Sequence, residues 1–277
     1  MFTELLRILS NEGKGKRVKR FFIDLKKYAE YICYSGIANL KAEVSGSFLN
    51  WTWWILDPFL HMMVYAFISL VVFGRSEPHF IPFVFVGQAV WKYVNSTVMR
   101  SVEMIRRNKS VLRRIYLPKQ ILLLSNQFGF FVQLLITLGI TLVMCILDGV
   151  QFTWYVLWLP VILAILLLGS FGIGCILLHV GVYAKDMWNI LGVCMKLTFY
   201  LSGIFYNLQA RVPAPYGDLL VSVNPAAMII HEARSVLVYG TAPNYLRLAV
   251  WAVISALLTA YGVNLIYRHE QNYIKAV

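Results

Sequence analysis

Arg100, Arg106, Arg107, Lys109, Arg113, Arg114 and Lys119 crowd into one stretch, with Glu103 as the only acid among them. Cations at this density break no bonds. They attract anions, bind phosphate or dock against an acidic surface. Catalytic patterns are missing elsewhere. GKGKR at 13–17 is not a P-loop, and nothing in the chain matches G-x-x-x-x-G-K-[ST]. His61, His79, His179, His231 and His269 are scattered without zinc-site spacing, and Cys33, Cys145, Cys175 and Cys194 show no paired spacing. His231-Glu232 with Arg234 is the most enzyme-like cluster, and it reads more simply as a salt-bridge set at a helix end. No catalytic residue, metal site or disulfide is expected.

What positions the basic stretch is apolar sequence on both sides: HFIPFVFVGQAVW before it and ILLLSNQFGFFVQLLITLGITLVMCIL after it. A basic block between two such runs cannot sit in lipid, and short basic loops are retained on the cytoplasmic side. The 277 residues are 59% hydrophobic and 14% charged, with a mean hydropathy of +0.66. That composition excludes a soluble globular domain. The net charge of +12 would suit nucleic acid, but most of the lysines and arginines fall in segments assigned to one side of the membrane. The basicity therefore reflects topology and attraction to anionic lipid, not nucleic-acid binding.

Residues 1–20 read as a basic tail, and 21–50 contain an amphipathic helix at the interface. There Phe22, Leu25, Ala29, Ile32, Leu40 and Val44 share one face. Six spans follow within 51–277, at about 53–73, 80–98, 121–147, 154–182, 188–206 and 245–267. The first carries Asp57-Pro58 and the second Lys92, both of which must face protein or water. Gly169, Gly172, Gly174 and Gly181 in the fourth allow close helix packing. The cytoplasmic segment 99–120 reads as one or two helices ending at Pro118. Residues 207–244, broken by Pro213, Pro215, Pro225 and Pro243, read as two short re-entrant or interfacial helices on the outer side. The fold class is all-α integral membrane, with both termini cytoplasmic.

Aromatics are abundant: 16 Tyr, 17 Phe and 8 Trp. Phe80, Phe83, Phe85, Trp91, Tyr93, Tyr200, Phe205 and Tyr206 fall in the second and fifth spans. Their rings could stack on sugars without gripping them, which suits a sliding polymer. Ordinary helix packing and interfacial anchoring are the alternative.

Several motifs in order carry a resemblance. Trp54, Leu56 and Pro58 open the first span, and Tyr116-Leu117-Pro118-Lys119 closes the basic block. Lys185-Asp186 forms an inner turn, SGIFY (202–206) ends the fifth span, and Asn224-Pro225 lies in the outer segment. Over nearly its whole length the chain resembles the transmembrane subunit of ABC-2 type polysaccharide and polyol-phosphate exporters, the family serving O-antigen, capsule, teichoic acid and rhamnan export. It departs from the family pattern at Lys185, where Arg is usual, and at Gly203, where Pro is usual. A lysine cannot reproduce a bidentate arginine contact, whereas Gly203 still permits a helix break.

The resemblance implies a homodimeric channel in a bacterial cytoplasmic membrane, standing on two copies of a separate nucleotide-binding subunit. That partner would hold ATP and magnesium, leaving this chain without a cofactor. The helix within 21–50 would be a gate helix. Coupling to the ATPase would fall to Arg106, Arg107, Lys109, Arg113, Arg114, Tyr116, Pro118, Lys185 and Asp186. The expected cargo is an undecaprenyl-diphosphate-linked polysaccharide or a teichoic-acid-like polymer, its diphosphate drawn in by Lys26, Lys27, Lys41 and Arg100. An ABC-2 permease for a small amphiphile or drug is the alternative. A membrane enzyme would need converging catalytic groups, and a passive channel would not need the basic docking surface.

Overall fold

The computed structural model describes residues 13–46, 48–68, 71, 77–114, 116–184 and 186–275, and the regular elements among them are all helical. The tip of the basic tail, the end of the first expected span with residues 72–76, and Lys185 lie outside the described residues.

The helices are α1 (Gly13–Lys27), α2 (Ala29–Val44), α3 (Trp53–Phe67), α4 (Phe80–Arg107), α5 (Lys109–Arg114) and α6 (Lys119–Leu147). After them come α7 (Leu159–Tyr183), α8 (Met187–Tyr200), α9 (Leu208–Arg211), α10 (Tyr216–Val223), α11 (Pro225–Leu237) and α12 (Tyr245–Lys275). Among the described residues, three segments are both long and apolar enough to cross a membrane: Lys119–Leu147, Trp154–Tyr183 and Tyr245–Glu270. The other expected spans do not meet that measure within the described residues. Helix α8 has 14 residues, roughly 21 Å at 1.5 Å per residue, which is short of a full hydrocarbon core, and α3 has 15 within the described residues. Helix α4 is long but polar.

Around α4 pack α3, α6, α7, α8 and α11. Its residues 82–90 are buried without interruption, Gln88 among them. A helix carrying Gln88, Lys92, Asn95 and Thr97 is tolerable at membrane depth only when protein encloses it. The α7 glycines allow the enclosure. A Cβ on Gly181 would collide with the α4 backbone at Val102, and one on Gly174 would lie 2.9 Å from Ser101 Oγ. On the opposite face a Gly172 Cβ would meet α12 at Leu258 and Thr259 at 2.6 Å, and the Thr259 hydroxyl donates to the Leu168 carbonyl at 2.8 Å. The expected close approach at the fourth span is thus realised against two neighbours.

The N-terminal segment departs from a single interfacial helix. The chain breaks at Tyr28 (φ −106°, ψ 14°) and gives two helices. Ile32, Gly36, Leu40 and Val44 recur every four residues on α2 and are buried. Helix α2 packs along α6, so closely that a Gly36 Cβ would lie 2.6 Å from the Ser125 carbonyl. The basic block also differs: its first part simply continues α4 to Arg107, and Pro118 starts α6 instead of ending a separate helix.

Gly181→Val and Gly172→Val should therefore each destabilise the chain by about 1–3 kcal/mol through overpacking. Gly139→Ala, where an added Cβ meets nothing within 4 Å, should cause no loss. Thermal unfolding of the detergent-solubilised chain checks this ordering.

Candidate functional site

The basic side chains are gathered at one end of the helix bundle. Arg106 reaches from α4 to the C-terminus of α7, donating to the Gly181 carbonyl at 3.0 Å and the Ala184 carbonyl at 3.3 Å. It satisfies carbonyls that the helix end leaves open, where a cation is also favoured by the helix dipole. Arg107 lies 3.6 Å from Glu103 one turn earlier. Lys109, Arg113 and Arg114 are exposed on α5, as is Asp186 at the start of α8. Pro118 is buried at the head of α6.

Tyr116 is tied to both terminal helices. Its hydroxyl donates to Glu270 of α12 at 2.5 Å and accepts from Arg20 of α1 at 2.9 Å. Arg20 also lies 3.4 Å from Glu270 and 3.9 Å from Asp24, and its guanidinium sits 4.9 Å over the Tyr267 ring. Tyr267 closes the set by donating to Asp24 at 2.8 Å. Burial, reinforced by the bond to the Glu270 carboxylate, pushes the Tyr116 phenol up to about 12, so it remains the donor. This cluster joins α1, the α5–α6 loop and α12. Only Tyr116 was legible as a site residue, since its partners are 96 and 154 residues away in sequence.

Lys26 and Lys27 are exposed at the end of α1, with Lys27 Nζ 5.2 Å over the Tyr28 ring. Lys41 is exposed near the far end of α2, roughly 20 Å along at 1.5 Å per residue. Arg100 is partly buried on α4 in the electrostatic reach of Glu43, Glu103 and Arg107, and burial lowers its pKa. These four cations are spread over α1, α2 and α4.

The aromatic set divides. Phe83, Phe85 and Tyr93 are enclosed, and Phe205 is nearly so. Phe85 meets Phe59 edge-on, and Phe83 lies beneath the Arg234 guanidinium at 3.4 Å. Within one copy of the chain these rings support a wall instead of presenting one. Phe80, Trp91 and Tyr206 are partly exposed, and Tyr200 is exposed. Trp91 meets Phe199 of α8 at 5.5 Å, and Tyr65 of α3 stacks on Phe205 at 5.6 Å. Tyr65 and Phe199 were not singled out in sequence, because neither carries a mark beyond being aromatic.

At the opposite end, Gly203 breaks the chain after α8 with φ +62°. Asn224 caps α11, accepting from Ala226 N at 3.0 Å and donating to Ser202 Oγ at 3.0 Å, so the SGIFY and Asn-Pro motifs interlock. Arg234 donates to the carbonyls of Phe83, Gly203 and Ile204 at 3.0, 2.7 and 2.6 Å. Its neighbour Glu232 turns away to Arg247 at 3.0 Å. Glu232 and Arg234 of the His231-Glu232-Arg234 cluster therefore face different elements, while His231 and Arg234 line one small cavity. His79 lies 2.7 Å from Asp148, linking the start of α4 to the end of α6. Among the described residues no group of three or more His, Cys, Asp or Glu could hold a metal.

No protein-family model matches the chain. It is 25% identical over 239 residues to the O-antigen export system permease protein RfbA of Myxococcus xanthus, covering 86% of this chain and 92% of that protein. Two Klebsiella pneumoniae proteins of the same name are each 23% identical, covering 82% and 81% of this chain and 87% and 86% of their own lengths. The resemblance to ABC-2 type polysaccharide export permeases read from the motifs is borne out by these relatives.

Tyr116→Phe removes the donor to Glu270 while keeping the ring. It should loosen the α5–α6 loop and speed limited tryptic cleavage at Arg113 and Arg114. An unchanged cleavage rate would mean that the hydroxyl does not order this loop.

Proposed function

We propose that the chain, a multi-pass membrane protein related to O-antigen export permeases, is the channel-forming permease subunit of an ABC transporter. It exports a lipid-linked cell-surface polysaccharide across the bacterial cytoplasmic membrane. The observation that carries this reading is the similarity to O-antigen export permeases, sustained over 86% of the chain. The bundle's division into a basic end and a capped, proline-broken end supports it.

In this reading α3, α4 and α8 join the three long apolar helices to make six spans, with both termini on the cytoplasmic side. Two copies assemble so that faces bearing Trp91, Tyr200 and neighbouring rings meet water instead of lipid. Helices α9–α11 form a re-entrant lining at the exit. The basic end docks two nucleotide-binding subunits, which hold ATP and magnesium. The exposed Arg107, Lys109, Arg113 and Arg114 are the docking cations, with Asp186 nearby in role. Arg106 acts differently, by fixing the end of α7 against α4. Motion imposed on the α5–α6 loop passes through Tyr116 to Arg20 of α1 and Glu270 of α12. The undecaprenyl-diphosphate headgroup approaches along α1 and α2, where Lys26, Lys27 and Lys41 offer successive cations, joined by Arg100 of α4, which lies within electrostatic reach of Glu43 on α2.

Deleting the gene should remove the polysaccharide from the cell surface and leave lipid-linked polymer inside, with export restored by the intact chain. Lys26→Glu with Lys27→Glu should block restoration while leaving the chain at normal abundance. Immunoblotting of surface and internal polymer reads both outcomes. Surface polymer that survives deletion would contradict the function, and export by the double variant would remove the headgroup role.

A further inference from the structure

One charged cluster lies outside everything assigned above. Asp57 on α3 accepts from Lys92 Nζ on α4 at 2.6 Å, and the other Asp57 oxygen lies 3.5 Å from His61 Nε2 one turn along. Asp57 and Lys92 expose 34% and 37% of their side chains, and His61 exposes 53%. The sequence brings these groups together only through a helical hairpin, the paired charges being 35 positions apart.

Under the six-span reading, the cluster sits at membrane depth with its edge open. An ion pair presented to hydrocarbon is costly, and intramembrane charges face a polar cavity or another protein surface. The charges also restrict what can lie there. Carboxylate and ammonium cancel, so a phosphate would gain from Lys92 and be repelled by Asp57. A hydroxyl suits both: it can donate to the carboxylate and accept from the ammonium.

The flank of the cluster is aromatic. Asp57, His61 and Tyr65 recur every four residues on one face of α3. The His61 and Tyr65 rings lie 6.1 Å apart in a stacked arrangement, and Tyr65 continues to Phe205 at 5.6 Å and Phe199 at 6.1 Å. Paired donors and acceptors beside flat rings match a sugar, which has hydroxyls at its rim and C–H groups on its faces.

We propose that Asp57, His61 and Lys92, with Tyr65 alongside, form a neutral carbohydrate-contact site part-way along the transport path, taking hydroxyls of the moving chain. The proposal rests on the polysaccharide-export reading. It adds a polar contact to the otherwise aromatic wall and assigns it to uncharged sugar units, not to the diphosphate.

The test places photoreactive p-benzoylphenylalanine at position 61 of the full chain, in cells that make and export the polymer. Val253, exposed on α12, is the control position. After irradiation the chain is purified under denaturing conditions and stained for periodate-oxidisable sugar. The expected result is a shift of the position-61 chain into a sugar-positive ladder, absent at position 253. If the position-61 chain fails to restore export, the probe moves to Tyr65 on the next turn and is read identically. A cross-link only to a second copy of the chain or only to lipid overturns the site, as does an export-competent chain with no sugar adduct. Where deletion removes surface polymer but no adduct forms, this inference fails while the export function stands. Where deletion leaves the polymer in place, the function itself fails.

Discussion

A helix too polar for lipid runs through the middle of this bundle, and the fold is arranged to enclose it. Helix α4 carries Lys92 and buried Gln88 and Thr97, each costly beside hydrocarbon. Apolar helices alone would not suffice, because bulky side chains would hold them away. The glycines of α7 remove that obstacle on the α4 side and again on the α12 side. Gly87 on α4 does the same for α11, leaving space for the Arg234 guanidinium, whose Nη2 would be 2.5 Å from an added Cβ. Enclosure of α4 thus fixes where α7 and α11 lie, and α7 in turn fixes α12.

Beyond the Lys92–Asp57 and Thr259–Leu168 contacts within the bundle, long-range polar contacts hold its two ends. Arg106 meets the end of α7, while Arg20, Tyr116 and Glu270 join the two terminal helices to the α5–α6 loop. At the other end His79 meets Asp148, and Asn224 and Arg234 hold the segment that follows α8. A docked partner at the basic end would therefore act on terminal helices through side-chain bonds and on the far end through rigid α4. Sequence position alone does not suggest the first route.

Features governed by local chemistry were legible in the sequence. Gly203 was readable as a break because a tight turn calls for the left-handed backbone that glycine adopts freely, and it has φ +62°. Asn224-Pro225, read only as a motif in the outer segment, starts α11 because it combines a capping side chain with a residue suited to the first turn. The α7 glycines announced close packing but not the partners. Features set by tertiary packing were not legible. Phe83, Phe85 and Tyr93 share the composition of a substrate-facing set, yet α4 turns them into the protein. Asp57 and Lys92 were each visible as costly, but nothing local pairs them. Arg234 and Glu232 look like partners two residues apart and face different elements, since positions i and i+2 do not share a helix face.

The most direct test of the central claim, that a partner's ATP hydrolysis drives this chain, is its purification from native membranes with identification of the bound proteins. A P-loop ATPase should co-purify with the intact chain and be lost when Arg107, Arg113 and Arg114 are reversed to Glu. Arg106, which holds α7, is left in place so that the bundle stays folded. Purification of an export-competent chain in mild detergent without any ATPase would contradict the account, because the chain would then have no source of work.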